Sequence, residues 1–218
     1  MTKRKIKSGL YLVVDPGLQL DVLLTKITAA IEGGVSVVQV WNHWNEEQDK
    51  QAVVNAICAV AHAYNIPVLI NEAWELLHTT ALDGVHFDAL PDNLNAIRQA
   101  IQRPLIMGIT CGNDLTRIHW ANDNGCDYIS FCSMFPSASA GACEIVQRET
   151  VLQARAITGL PIFLAGGITA SNLPQLAGTG FNGVALISAI LHADDPQTAA
   201  AHFTTQLKEL HTHEGITH

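Results

Sequence analysis

Residues 37–44 read VVQVWNHW: a β-branched apolar run that ends in Trp41, Asn42, His43 and Trp44. The ends of strands in α/β proteins are where binding and catalytic groups are commonly placed. Gln39 sits inside this run, and a buried amide left unpaired costs ~1–3 kcal/mol, so it must find either a ligand or a neighbouring side chain. Two further stretches bring carboxylates to strand ends. LINE (69–72) carries Asn71 and Glu72, and GVHFDALPD (84–92) carries His86, Asp88 and Asp92. Carboxylates so placed could hold magnesium, or could cap the helices that follow. FLAGGIT (163–169) and GVALISAIL (183–191) suggest a phosphate cradle. Gly166 and Gly167 would let backbone N–H groups approach an anion, and Ser188 would add a hydroxyl at a helix start; the other reading of the glycines is a tight turn. FPSASAGA (135–142) is small and hydroxyl-bearing, which suits a loop closing over a ligand or an ordinary surface loop.

These groups need a frame. Eight short apolar runs, at 10–14, 35–40, 67–71, 84–87, 105–110, 127–131, 161–167 and 183–187, mostly lack polar alternation. That marks parallel strands covered on both faces. Helical stripes lie between them: Leu20, Leu23, Leu24, Ile27 and Ile31, then Val53, Val54, Ile57 and Val60, then Leu94, Ile97 and Ile101. A short helix is expected over 170–180 with Ser171 as its cap, and a last helix over about 196–210. Alternation at this length predicts an α/β fold, a (β/α)8 TIM barrel, in a single domain spanning 1–218 with frayed ends at 1–8 and 211–218. An open doubly wound sheet is weaker, since no G-x-G-x-x-G follows the first strand.

Hydrophobic residues make up 48% of the chain and charged ones only 15%, which calls for a large core. The net charge of −8 and the lack of a basic run beyond residues 3–7 argue against a nucleic-acid partner. No apolar run approaches the ~20 residues of a membrane span, and no secretory signal is evident. Five cysteines without a C-x-x-C pair suit reduced thiols in a cytoplasmic protein rather than disulfides or zinc.

Taken in order, YLVVD, GGVSVVQV, VLIN, DGVHF, MGIT, DYISF…FPS, AGGIT and NGVALISAI make the chain resemble the thiamine phosphate synthase and thiazole tautomerase superfamily over roughly residues 9–200. The resemblance implies a barrel of thiamine biosynthesis that joins a pyrimidine pyrophosphate to a thiazole phosphate with Mg2+, and a homo-oligomer. It implies that Gln39, Asn71 and Thr110 face the pyrimidine. It further implies that Ser137, Ser139, Gly166, Gly167, Ile187 and Ser188 hold the thiazole phosphate, and that Glu72 with Asp88 hold the metal.

The chain departs from the superfamily pattern in a consistent direction. Strand two of the pattern ends Gln-x-Arg-x-Lys, and here Trp41 and His43 replace both cations. The loop after strand six loses a lysine at Ala140, and the tautomerase histidine is replaced by Gly112. Charge-assisted contacts are worth ~1.5–3 kcal/mol each, so losing three cations forfeits ~5–9 kcal/mol, or about 10³–10⁶ in rate. The expectation is a retained monophosphate cradle beside a dismantled pyrophosphate clamp. The chain would then be a slow or altered synthase, or a non-catalytic phosphate-ligand-binding or partner protein. A third reading is a different enzyme built on Trp41, His43, Trp44 and Cys111, with Cys111 and Cys132 as a thiol pair at the mouth.

Overall fold

The computed structural model describes residues 4–136 and 144–214. Eight strands, β1 (Gly9–Val14), β2 (Val35–Val40), β3 (Val68–Asn71), β4 (Gly84–Phe87), β5 (Ile106–Thr110), β6 (Tyr128–Phe131), β7 (Ile162–Ala165) and β8 (Gly183–Leu186), close into a barrel in sequence order. Every neighbouring pair is parallel, and β8 pairs with β1 to complete the ring. This is the (β/α)8 barrel that the alternating runs predict.

Among the described residues seven α-helices surround or follow the strands: α1 (Leu20–Glu32), α2 (Lys50–Ala63), α3 (Leu94–Ile101), α4 (Thr116–Asp123), α5 (Arg148–Ile157), α6 (Ser188–Leu191) and α7 (Pro196–Glu214). Two crossovers use 3₁₀ turns instead, Trp74–His78 after β3 and Leu173–Leu176 after β7. At the second of these, Ser171 does not cap: its hydroxyl lies 2.9 Å from the Thr169 hydroxyl, and no side chain caps the turn. Side-chain caps do start α2, where Asp49 accepts from the Ala52 N–H, and α3, where Asn93 accepts from the Ala96 N–H.

Alternate strand residues divide the core in two. Leu10, Leu12, Val38, Val40, Ile70, Val85, Ile109, Ile129 and Leu164 face the helices, while Tyr11, Val37, Leu69, Ile106, Tyr128 and Phe163 fill the barrel. Ile6 joins the inner cluster, and Arg4 pairs with Asp83, so these two residues of the N-terminal segment are held against the barrel. At the other end α7 runs on to Glu214 with His211 buried, past the expected start of fraying at 211. In both cases buried side chains anchor the segment.

Candidate functional site

The strand period of two carries the inward row of each strand up to the barrel's C-terminal rim. In register, Gln39 lies beside Val13 and Leu69, Asn71 beside His86, His86 beside Gly108, and Thr110 beside Ser130. These side chains open into one cavity of about 660 Å³. Its lining includes Gln39, Trp41, Asn71, Asp88, Thr110, Gly166, Gly167, Ile187 and Ser188, so nine of the anticipated site residues meet there. Ser137, Ser139 and Ala140 lie outside the described residues. Asp92 is exposed and is not part of the lining.

The floor is a connected polar network. The Tyr11 hydroxyl donates to Gln39 Oε1 at 2.6 Å and lies 2.9 Å from the Tyr128 hydroxyl. Tyr128 in turn lies 2.9 Å from His86 Nδ1, and His86 Nε2 lies 2.9 Å from the Thr110 hydroxyl. Ser130 completes the group 3.2 Å from Thr110. Gln39 thus finds a protein partner while still bordering the cavity.

Tyr11, Tyr128 and Ser130 went unnoticed in the sequence because they sit in strands buried on both faces, where polarity does not reveal which parity points inward. Burial lowers the His86 pKa to about 4, against a smaller opposing pull from Asp88. The imidazole is therefore neutral at physiological pH. Because unfolding frees His86 to take up a proton near its ordinary pKa of 6.5, stability should hold above pH 6.5 and fall as pH drops towards 4. The loss is about 3 kcal/mol at ~1.4 kcal/mol per pH unit. Urea midpoints at pH 7.5 and 4.5 should differ less in His86→Asn than in the wild-type chain; equal pH dependence would contradict this.

The carboxylates are arranged differently from the expectation. Glu72, held at φ 59°, is not in the lining; its Oε1 accepts from the Asp88 N–H at 2.5 Å. Asp88 Oδ2 accepts from the Asn71 amide at 3.0 Å. Magnesium requires about six oxygens in octahedral array. It commonly takes only one or two of these from carboxylates and the rest from water and substrate phosphates, and Glu72 and Asp88 each have one oxygen engaged here and a second outside these contacts. No cluster of three metal-ligating side chains occurs among the described residues.

The rim has two contrasting sides. On the β7–β8 side, Gly166 and Gly167 have φ of 87° and 65°. A Cβ on Gly166 would come within 2.3 Å of the Ser133 nitrogen, and one on Gly167 within 2.5 Å of the Phe135 oxygen. The glycines are thus required by the loop after β6 whether or not an anion binds. Ile187 N-terminally flanks α6, and Ser188 is its first residue.

On the β2 side, Trp41 borders the cavity and its ring lies 5.0 Å from that of His43. His43 itself turns away, 64% exposed, with Nδ1 3.2 Å from the Asp15 carboxylate. The Trp44 indole donates to the Asn42 side chain and its ring lies under Lys50. Neither His43 nor Trp44 lines the cavity. Arg117 donates to the backbone oxygens of Asp88 and Thr110, tying β4 to β5 beside a second cleft of about 490 Å³. Cys111 borders that cleft, and burial pushes its thiol up to about 12, which removes it as a nucleophile.

The geometry has close counterparts. A thiamine-phosphate synthase from Halorhodospira halophila is 29% identical over 199 residues, covering 91% of this chain and 94% of that one. One from Methylococcus capsulatus is 31% identical over 192 residues, covering 88% and 86%. Among solved structures, thiamine phosphate pyrophosphorylase from Pyrococcus furiosus superposes with a TM-score of 0.80 at 21% identity, covering 93% of this chain and 96% of that one. That likeness supports the fold. The sequence model of thiamine monophosphate synthase matches residues 10–190, from β1 into α6, so the barrel and the whole rim of its cavity fall within the match, and the chain belongs to that family.

Proposed function

We propose that this thiamine-phosphate-synthase-like barrel binds a phosphorylated heterocycle of the thiazole or pyrimidine kind, and joins pyrimidine pyrophosphate to thiazole phosphate only slowly. One observation carries the reading. A single cavity combines an amide and hydroxyl floor, a glycine and serine rim, and an indole where the family pattern has a cation. The phosphate would lie against Gly166, Gly167, Ile187 and Ser188, with Ser137 and Ser139 adding hydroxyls. The ring would meet Gln39, Asn71 and Thr110. A departing diphosphate would meet Trp41 and the Asp88 carboxylate, neither of which can neutralise it. A magnesium ion would be held by Glu72 and Asp88 through the oxygens their protein contacts leave over, with the rest from water and substrate phosphate, and no step is assigned to it.

Thiazole phosphate should bind in calorimetry, and Ser188→Ala should weaken it about 10–100-fold, the worth of one hydrogen bond to a charged group. Ser188→Ala is the cleaner variant, because a side chain at Gly167 would also displace the Phe135–Pro136 backbone. Thiamine phosphate should form from the two substrates about 10³–10⁶ more slowly than in an enzyme with the cationic clamp. Absence of binding by any phosphorylated ligand would defeat the reading. Binding with no turnover would instead establish the second one, a ligand-binding role, which Trp41 at a position where the family pattern has a cation favours.

A further inference from the structure

The five groups Gln39, Tyr11, Tyr128, His86 and Thr110 form an unbroken chain across the cavity floor, each link between 2.6 and 2.9 Å. Each hydroxyl has one proton to give, and a neutral imidazole gives from one nitrogen and accepts at the other. The chain therefore has only two self-consistent directions. The Tyr11 proton is committed to Gln39 Oε1. Tyr128 must then give its proton to the Tyr11 oxygen, His86 must give from Nδ1 to the Tyr128 oxygen, and His86 Nε2 must accept from Thr110. In the reverse direction every link inverts: the Gln39 amide turns over and the His86 proton moves to Nε2. A mixture would set two donors or two lone pairs face to face among buried groups, so the links change together.

We propose that this chain is a relay in which Tyr11, Tyr128 and His86 are positioning residues, locking the His86 tautomer to the face that Gln39 turns towards the ligand. With Gln39 Oε1 taken by Tyr11, the NH2 group is what the side chain has left to offer the cavity it lines, so the ligand edge meeting it must carry a hydrogen-bond acceptor. A ligand presenting a donor there would have to reverse four neighbours at once. The relay belongs to the free protein and does not depend on which phosphorylated ligand the cavity takes. Its failure and a failure of ligand binding are therefore read separately.

The test is the tautomer of His86 in the full-length 15N-labelled chain, followed by long-range 1H–15N correlation at fixed neutral pH. The wild type should carry the proton on Nδ1. Tyr11→Phe makes no change at His86 itself, yet it frees the Tyr128 proton for Nδ1, so most of the imidazole should become the Nε2–H tautomer. Gln39→Leu, one link further away, should move it in the same direction and serves if Tyr11→Phe does not fold. In a Tyr128→Phe background residue 39 should no longer influence His86. An Nε2–H tautomer in the wild type, an unchanged tautomer in the folded variants, or a Gln39→Leu effect that survives Tyr128→Phe would each overturn the relay.

Discussion

Trp41→Arg should raise the rate of thiamine phosphate formation by about 10–150-fold, the worth of one charge-assisted contact at ~1.5–3 kcal/mol. The position is suited to the gain because residue 41 borders the cavity directly, continuing the inward row of Val37 and Gln39. A guanidinium there would face the space in which negative charge develops as diphosphate departs, and would also offset Asp88. Stability should change little, since Trp41 is only half-buried and its ring contact is with exposed His43. Adding His43→Lys should contribute less than tenfold more at ~1.4 kcal/mol per tenfold, because that side chain points outward and Asp15 competes for it at 3.2 Å. Trp41→Phe keeps an aromatic surface and adds no charge, so it should leave the rate where it is. If Trp41→Arg turns over no faster than Trp41→Phe while both stay folded, the missing cation is not what limits the chemistry.

The barrel could be read from the chain because its strands are apolar on both faces and its helices carry stripes at helical spacing, two signals with different periods. The gathering of Gln39, Asn71, Thr110, Gly166, Gly167 and Ser188 followed once strand ends were placed, since all strand ends of a parallel barrel meet at one rim. What escaped depends on facts the sequence does not encode locally. Leu10, Tyr11 and Leu12 look equivalent as buried residues, and only closure of the ring decides that Tyr11 faces the axis. Glu72 is a carboxylate at a strand end, but its positive φ turns it to the Asp88 N–H instead of the cavity. His43 follows Trp41 by two residues, yet the strand ends at Val40, so the alternation that would direct both inward has lapsed. Polarity marks residues 1–8 and 211–218 as frayed ends, and it does not reveal that Ile6 and His211 among them each bury a side chain.

Gly108→Ala should destabilise the chain by ~2–6 kcal/mol, in the range of a large core truncation. Gly108 sits inside β5 with its missing side chain facing the axis, and a Cβ there would lie 2.1 Å from Tyr128 Cζ and 2.4–2.5 Å from two other ring carbons. The phenol cannot retreat. Phe163 packs edge-on against it at 5.5 Å, Tyr11 lies at 5.9 Å, and His86 stacks on it at 5.6 Å. Overpacking of this kind costs ~1–3 kcal/mol, and displacing the Tyr128 hydroxyl from Tyr11 and His86 strands buried polar groups at a further ~1–3 kcal/mol. The two contributions separate in a double-mutant cycle. Tyr128→Leu removes the ring that the new methyl would strike, so in that background Gly108→Ala should cost less than ~1 kcal/mol. Denaturant midpoints for the four chains give the coupling directly. If Gly108→Ala costs the same with and without the phenol, the glycine is needed for its backbone and not for the room it leaves. The small residue at 108 would then have no part in setting Tyr128 under the cavity floor.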